Sequence, residues 1–120
     1  SGIKTLLLCS GKIYWELEKK RKKDKRDDLA IARLEMLHPL PHNRLRDIFE
    51  SYPDLEEVRW VQDEPANQGP WPFLALNLPE VLPDMPKLTR VSRRAQSSTA
   101  TGVAKVHQIE EKALLEEALK

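Results

Sequence analysis

Four short apolar runs alternate with segments that show helical spacing along the chain. The first run, residues 3–9, is apolar almost throughout, as expected for a strand covered on both faces. Further strands are predicted over 29–37, 57–62 and 87–92. Their core candidates are Ala30, Ile31, Leu34, Met36, Val58, Trp60 and Val61.

Helices are predicted over about 11–26, 43–51, 73–78 and 102–119, between and after these strands. Ser10 and Asn43 are of the residue types that cap helix N-termini, and both stand at predicted helix starts. The apolar side chains predicted to face the core are Ile13, Tyr14, Leu17, Leu45, Ile48, Phe49, Val103, Val106, Ile109, Ala113 and Leu114.

This alternation predicts an α/β fold, because parallel neighbouring strands need a crossover connection and a helix usually supplies it. We expect a three-layer α/β/α sandwich with a four- or five-stranded, mostly parallel sheet, forming a single domain over residues 1–120. The strand-to-helix loops of a parallel sheet leave one edge, where ligands and partners usually bind. The loops predicted at that edge are 10–12, 35–43, 62–71 and 93–101.

Composition narrows the range of functions. The 120 residues are 40% hydrophobic and 32% charged with a net charge of +1, which is ordinary for a globular domain and gives no strong field for nucleic acid or a membrane. Cys9 is the single cysteine, so an internal disulfide is excluded and a reducing, cytoplasmic location is expected. No apolar stretch approaches the roughly 20 residues that span a bilayer.

The segment 62–71 combines carboxylates, amides and a tryptophan directly after a predicted buried strand. Asp63 and Glu64 are adjacent, so their side chains diverge in extended chain and an acid–base pair is disfavoured. A packed polar loop is one interpretation. The other is a docking surface anchored by Trp71. The interface residues predicted on that basis are Gln62, Asp63, Glu64, Asn67, Gln68 and Trp71.

A second unusual segment follows the last strand. From residue 87 to 107 there are five basic residues and no acidic one, and hydroxyl side chains stand at a predicted helix start. A helix N-terminus with free N–H groups suits a phosphate, although simple capping with solvated arginines is the alternative. The predicted anion-binding residues are Arg93, Arg94, Ser97, Ser98, Thr101 and Lys105.

The remaining polar segments give weaker indications of a functional site. The spacing of His38, His42 and His107 matches no metal motif, and the mixed charge run over 19–28 is typical of a solvated helix face. The sequence contains no nucleophile elbow and no glycine-rich dinucleotide fingerprint. We therefore expect no catalytic, cofactor-binding or metal-binding residue in this chain.

Several motifs resemble one enzyme family, in the same order along the whole chain. The segment WVQDEPANQGPWPF (60–73) resembles the Gln-Asp/Glu-Glu-Pro-x-Asn-x-Gly-x-Trp pattern of the dehydrogenase component of 2-oxoglutarate dehydrogenase. The segments LLLCSGKIYWEL (6–17), IARLEMLHPLP (31–41) and RVSRRAQSSTATGVAKVH (90–107) are similar to other parts of the same C-terminal domain. Arg93–Arg94 and the Pro-Trp-Pro variant at 70–72 look most like the actinobacterial branch.

This resemblance implies a transketolase C-terminal-like domain, cut from a longer, homodimeric and multidomain enzyme. That enzyme would oxidatively decarboxylate 2-oxoglutarate with thiamine diphosphate and magnesium, and pass succinyl to a lipoyl group on an acyltransferase component. The diphosphate motif of such enzymes begins Gly-Asp-Gly, which this chain lacks, so the cofactors would bind to other domains. The domain would support interdomain and dimer packing and help to bind acetyl-coenzyme A or adenosine monophosphate.

The residues alone are also compatible with a different class of function. The chain could be a stand-alone α/β module that binds a phosphorylated ligand or a protein. A reading frame with an upstream Gly-Asp-Gly and Asn-Asn would distinguish the enzyme domain from that module.

Overall fold

The computed structural model describes residues 2–35, 40–93 and 104–120, with the side chains of 104–108 left out. In this part of the chain, strands and helices alternate without exception. In chain order they are β1 (Thr5–Cys9), α1 (Ile13–Lys23), β2 (Leu29–Arg33), α2 (His42–Glu50), β3 (Glu57–Pro65), α3 (Trp71–Val81), β4 (Lys87–Arg93) and α4 (Ala104–Ala118).

The four described strands form one parallel sheet in the order β2-β1-β3-β4. Leu6 stands beside Ala30 on one side and Val58 on the other, so β1 is central. This position explains why residues 6–9 of β1 are apolar and buried, since their side chains are covered on both faces of the sheet. The predicted α/β architecture with a mostly parallel sheet is confirmed.

Alternate residues of the central strands supply two separate cores. Leu8 and Trp60 point into the first core, which α2 and α3 cover. Leu7 and Val61 point into the second core, which α1 and α4 cover. Helices therefore lie on both faces of the sheet, which is the predicted three-layer arrangement. Full burial of a side chain such as Leu7 contributes roughly 1.5–3 kcal/mol.

The start of α1 differs from its prediction. Ser10 is not the N-cap. Lys12 takes that position without a capping side chain, and the N–H groups of Tyr14 and Trp15 donate to the carbonyls of Gly11 and Lys12. Gly11 adopts a φ of +72°, a left-handed turn that glycine tolerates, and this turn delays the helix beyond Ser10.

Four other boundaries also differ from the sequence prediction. Asn43 lies inside α2, whose N-cap is Pro41, so Asn43 does not cap that helix. The strand predicted to end at Gln62 continues to Pro65, through an irregularity in its pairing with β4. The short helix predicted near 73–78 extends over Trp71–Val81, because Pro72 occupies the first turn, where the missing N–H is tolerated. The second strand, predicted over 29–37, ends at Arg33, and Met36 and Leu37 lie outside the described residues.

The inward face of α4 was partly mispredicted. Leu114 is buried as expected, but Ala113 is exposed and Ile109 is 60% exposed. The helix instead packs through its last turns, where Ala118 and Leu119 join the second core. Val103 lies outside the described residues, and the side chain of Val106 is likewise not described.

Two arginines hold the end of α4 in place. Arg59 on β3 donates from Nη1 to the carbonyl oxygen of Ala118 at 2.6 Å, and Arg26 donates from Nη1 to that of Leu119. Arginine near a helix C-terminus satisfies carbonyls that have no partner within the helix and complements the helix dipole. This anchoring holds the last turn of α4 against the second core.

Candidate functional site

The carboxyl edge of the sheet has a crevice where β1 and β3 end side by side. After β1 the chain turns to α1 on one face, whereas after β3 it turns to α3 on the other face. The loops separate at this point and leave a cavity of about 320 Å³, lined by residues 10–13 and 61–64. Such a crevice is where open α/β sheets commonly bind ligands.

Gln62 organises the loop that follows β3. Its side chain is buried, with 2% of the residue exposed. Oε1 accepts hydrogen bonds from Trp60 Nε1 and from the backbone N–H of Trp71, both at 2.9 Å. Nε2 lies 2.7–3.1 Å from the carbonyl oxygens of Glu64, Pro65 and Gln68, so its two hydrogens are shared among three acceptors. One amide therefore connects β3, the loop and the start of α3.

The loop held by Gln62 has an exposed polar surface. Asp63, Glu64, Asn67 and Gln68 are exposed. Gly69 has a φ of +65°, a left-handed conformation that glycine adopts without strain and that other side chains adopt at a cost. Four of the six predicted interface residues are thus exposed, while Gln62 lies inside the domain.

Trp71, the predicted anchor of this loop, is half-buried. Its ring packs against the first core, and the Arg90 guanidinium carbon lies 5.9 Å from the ring centroid. Part of the tryptophan is therefore used within the domain, and the rest is available at the surface.

Trp15 is an exposed aromatic side chain that the sequence interpretation did not single out. It lies in the first turn of α1, at the same edge of the sheet, and is 60% exposed. The Tyr14 ring contacts it edge-on at a centroid distance of 5.0 Å, and the Arg33 guanidinium carbon lies 5.9 Å from its centroid. The sequence did contain a signal for this exposure. Trp15 lies between Ile13 and Leu17 and is not spaced by three or four residues from either, so it falls outside the buried face of the helix.

Arg93, the first of the predicted anion-binding residues, is paired with acids of its own domain. Its guanidinium lies 2.7 Å from Asp63 Oδ1 and 3.1 Å from Glu110 Oε2, and only 11% of the side chain is exposed. The ion pairs connect the end of β4 to the last residues of β3 and to α4. The other predicted members cannot be located, since Arg94, Ser97, Ser98 and Thr101 lie outside the described residues and the Lys105 side chain is not described.

Other reactive groups of the described chain are poorly placed for chemistry. Burial raises the pKa of the Cys9 thiol to about 12, so the nucleophilic thiolate is absent at neutral pH. His42 is exposed, with Nδ1 3.3 Å from the carbonyl oxygen of Leu40. No group of three His, Cys, Asp or Glu side chains in the described ranges is arranged to hold a metal ion.

None of the helices, as far as they are described, has the length and apolar character to cross a bilayer.

Comparison with known protein families gives one match that covers nearly the whole chain. Residues 1–119 match the family described as 2-oxoglutarate dehydrogenase C-terminal. A 2-oxoglutarate dehydrogenase E1/E2 component from Corynebacterium glutamicum is 65% identical over 97% of this chain and 10% of its own length. A multifunctional 2-oxoglutarate metabolism enzyme from Mycobacterium sp. (strain KMS) is 52% identical over 94% of this chain and 9% of its own length. The chain thus spans about a tenth of the length of these relatives.

A solved structure shares the fold at much lower sequence identity. It is described as a split gene transketolase in an inactive tetramer. It superimposes with a TM-score of 0.59 at 18% identity, covering 99% of this chain and 40% of that one. The transketolase-like fold predicted from the sequence is thereby confirmed.

Proposed function

Because the chain belongs to the 2-oxoglutarate dehydrogenase C-terminal family, we propose that it is the C-terminal domain of a longer, thiamine-diphosphate-dependent 2-oxoglutarate dehydrogenase. The observation that carries this proposal is the 65% identity to an E1/E2 component over 97% of the chain. In the whole cytoplasmic enzyme, other domains bind thiamine diphosphate and magnesium, decarboxylate 2-oxoglutarate and pass succinyl to the lipoyl group of an acyltransferase component.

Two measurements test this assignment. The full-length enzyme should oxidise 2-oxoglutarate, and the 120-residue domain alone should release no heat of binding when thiamine diphosphate and magnesium are titrated into it. Saturable one-site binding to the isolated domain would contradict the assignment of the cofactors to other domains.

The domain's own role in this proposal is packing at the carboxyl edge, against another domain or the second subunit of a homodimer. A loop already ordered by Gln62 loses little conformational entropy when it docks, which favours association. Its exposed polar residues belong to the same segment as the half-buried Trp71, and Trp15 adds a large aromatic side chain at the same edge. Exposed aromatic side chains of this kind commonly mark interfaces.

Arginines introduced on the loop surface test the packing role. In the full-length enzyme, the double change Asn67→Arg and Gln68→Arg should speed dimer dissociation in sedimentation experiments, because both side chains are exposed in the domain. Leu76→Arg is the control, since Leu76 is 74% exposed on α3 and lies outside the loop. Equal dissociation of the loop variant, the control and the wild type would exclude this loop from the interface.

A regulatory anion site is a second proposal for the same edge. It is supported by the absence of acidic residues from 87 to 107 and by the end of β4 at the carboxyl edge of the parallel sheet. The ligand would be a phosphate-bearing regulator such as acetyl-coenzyme A or adenosine monophosphate. An anion there has to compete with Asp63 and Glu110 for the Arg93 guanidinium.

The ion pairs of Arg93 determine how the anion site is tested. Arg93→Ala leaves Asp63 and Glu110 without their partner, so a lost response in that variant could reflect a weakened domain. Arg94→Ala is therefore assayed beside it in the full-length enzyme. Loss of the response to acetyl-coenzyme A and adenosine monophosphate in both variants, with basal activity retained, is expected. A full response in the Arg94→Ala enzyme would count against the site.

A further inference from the structure

A preformed groove lies at the edge of the sheet opposite the loop of Gln62. It has a volume of about 460 Å³ and runs between the end of α2 and the segment that joins α3 to β4. Its apolar lining includes Phe49, Tyr52, Leu55, Leu82 and Met85, and three prolines complete its walls. This volume is in the range of roughly 300–1,000 Å³ that ligand-binding clefts occupy.

The walls of the groove are held by local backbone hydrogen bonds. The N–H of Leu55 donates to the carbonyl of Tyr52, and the N–H of Met85 donates to that of Leu82, both at 3.1 Å. Phe49, Tyr52 and Met85 pack against the first core on one side and stay partly exposed on the other. The groove therefore exists before anything binds to it.

Charge at the rim does not favour a small anion. Arg46 is the basic residue among the lining side chains, whereas Glu50 and Asp84 are acidic. All three are exposed, and the interior between them is apolar. The chemistry of the groove suits apolar side chains of a polypeptide better than a phosphate or a carboxylate.

The beginning of the chain lies beside one wall of this groove. The backbone N–H of Gly2 donates to Asp54 Oδ2 at 3.2 Å, and Asp54 stands between Pro53 and Leu55, which both line the groove. The carbonyl of Lys4 accepts from the N–H groups of Glu56 and Glu57 at 2.8 and 3.1 Å, which holds the first residues at this edge. Polypeptide that precedes Gly2 in a longer chain thus arrives at the rim of the groove.

We propose that the groove binds the segment immediately before residue 1 in the full-length enzyme, through apolar side chains of that segment. The inference rests on the proposed function, since a C-terminal domain is preceded by the rest of its polypeptide. A tethered segment acts at an effective concentration in the millimolar range, so a modest apolar contact keeps it bound. In this arrangement the groove sets the orientation in which the domain joins the preceding one.

Photo-crosslinking in the full-length enzyme tests this proposal. The probe is p-benzoylphenylalanine in place of Tyr52, which retains an aromatic ring, and in place of Met85 in a second variant. The expected result is loss of the free peptide preceding residue 1 from the digest, and its recovery joined to the groove. The same probe at Leu76, which is 74% exposed on α3 outside the groove, should not capture that peptide.

Isotope labelling identifies the source of the captured peptide. In dimers mixed from heavy and light subunits, both halves of the cross-linked product should carry the same label. A heavy–light product, capture of a separate polypeptide, capture of a distant part of the chain, or no capture from either groove position would each overturn the proposal. Oxidation of 2-oxoglutarate is assayed on the same protein. An active enzyme without the cross-link would refute the groove proposal and leave the proposed function intact.

Discussion

Replacing Gln62 with leucine should destabilise the domain by about 2–4 kcal/mol, because the substitution removes every hydrogen bond of the buried amide. The largest contribution comes from Trp60 Nε1, since its residue is 1% exposed and water cannot replace the lost acceptor. An orphaned buried donor costs about 1–3 kcal/mol. The N–H of Trp71 adds less, because that residue is half-buried, and the loop carbonyls can bind water. The loss compares with a total stability of roughly 6–18 kcal/mol for a domain of this size.

Denaturant unfolding of the domain, followed by tryptophan fluorescence and circular dichroism, measures this cost. Gln68→Leu is the matched control and should change stability by no more than about 0.5 kcal/mol, since the Gln68 side chain is exposed. In a Trp60→Phe background the donor is absent, so Gln62→Leu should cost about 1 kcal/mol less than in the wild type. An equal cost in both backgrounds, or a cost no greater than that of Gln68→Leu, would refute the role assigned to the amide.

Three further predictions follow from other contacts. The hydrogen bond from Arg59 lowers the pKa of Glu57 below its ordinary value of 4.5, and a further bond from Thr89 acts in the same direction. The ionised carboxylate therefore stabilises the fold above pH 4.5, and this contribution is lost as the pH falls through the lowered pKa. Glu57→Gln should therefore flatten the decline in unfolding free energy below about pH 4.5, and an unchanged decline would show that the pairing is ineffective. Gly69→Ala should lower stability by about 1 kcal/mol or more in denaturant titrations, because φ is +65° there, and wild-type stability would disprove the strain. Cys9 should resist iodoacetamide at neutral pH until denaturant is added, since burial raises its pKa to about 12, whereas rapid labelling of the native domain would contradict its burial.

The sequence predicted the sheet better than it predicted the ends of the helices. A mainly apolar run such as 3–9 is typical of a strand covered on both faces, and β1 is that strand. Helix starts depend on single backbone angles. Ser10 has the chemistry of a cap, but the φ of +72° at Gly11 moves the start of α1 to Ile13. No residue pattern reveals that angle in advance.

In the candidate site, too, the features that depend on composition could be predicted from the sequence, and the contacts between distant residues could not. The polar segment 62–71 could be recognised from its composition, and four of its polar side chains are exposed. The inward position of Gln62 depends on the return of Trp71 to the end of β3, which sequence alone does not specify. The ion pair between Arg93 and Asp63 joins residues 30 positions apart, so it too emerges only from the folded sheet.

The order of synthesis gives the anchoring of α4 a further consequence. The side chains that close the second core come from residues 114–119, whereas those they cover belong to β1, α1 and β3, which the ribosome produces much earlier. Until that last stretch has left the ribosomal tunnel, Leu7 and Val61 have no cover from α4, and Arg26 and Arg59 have no helix carbonyls to bind. The domain therefore completes its folding only after residues 114–119 have emerged, and until then the nascent chain leaves part of an apolar sheet face exposed, on which chaperones can act.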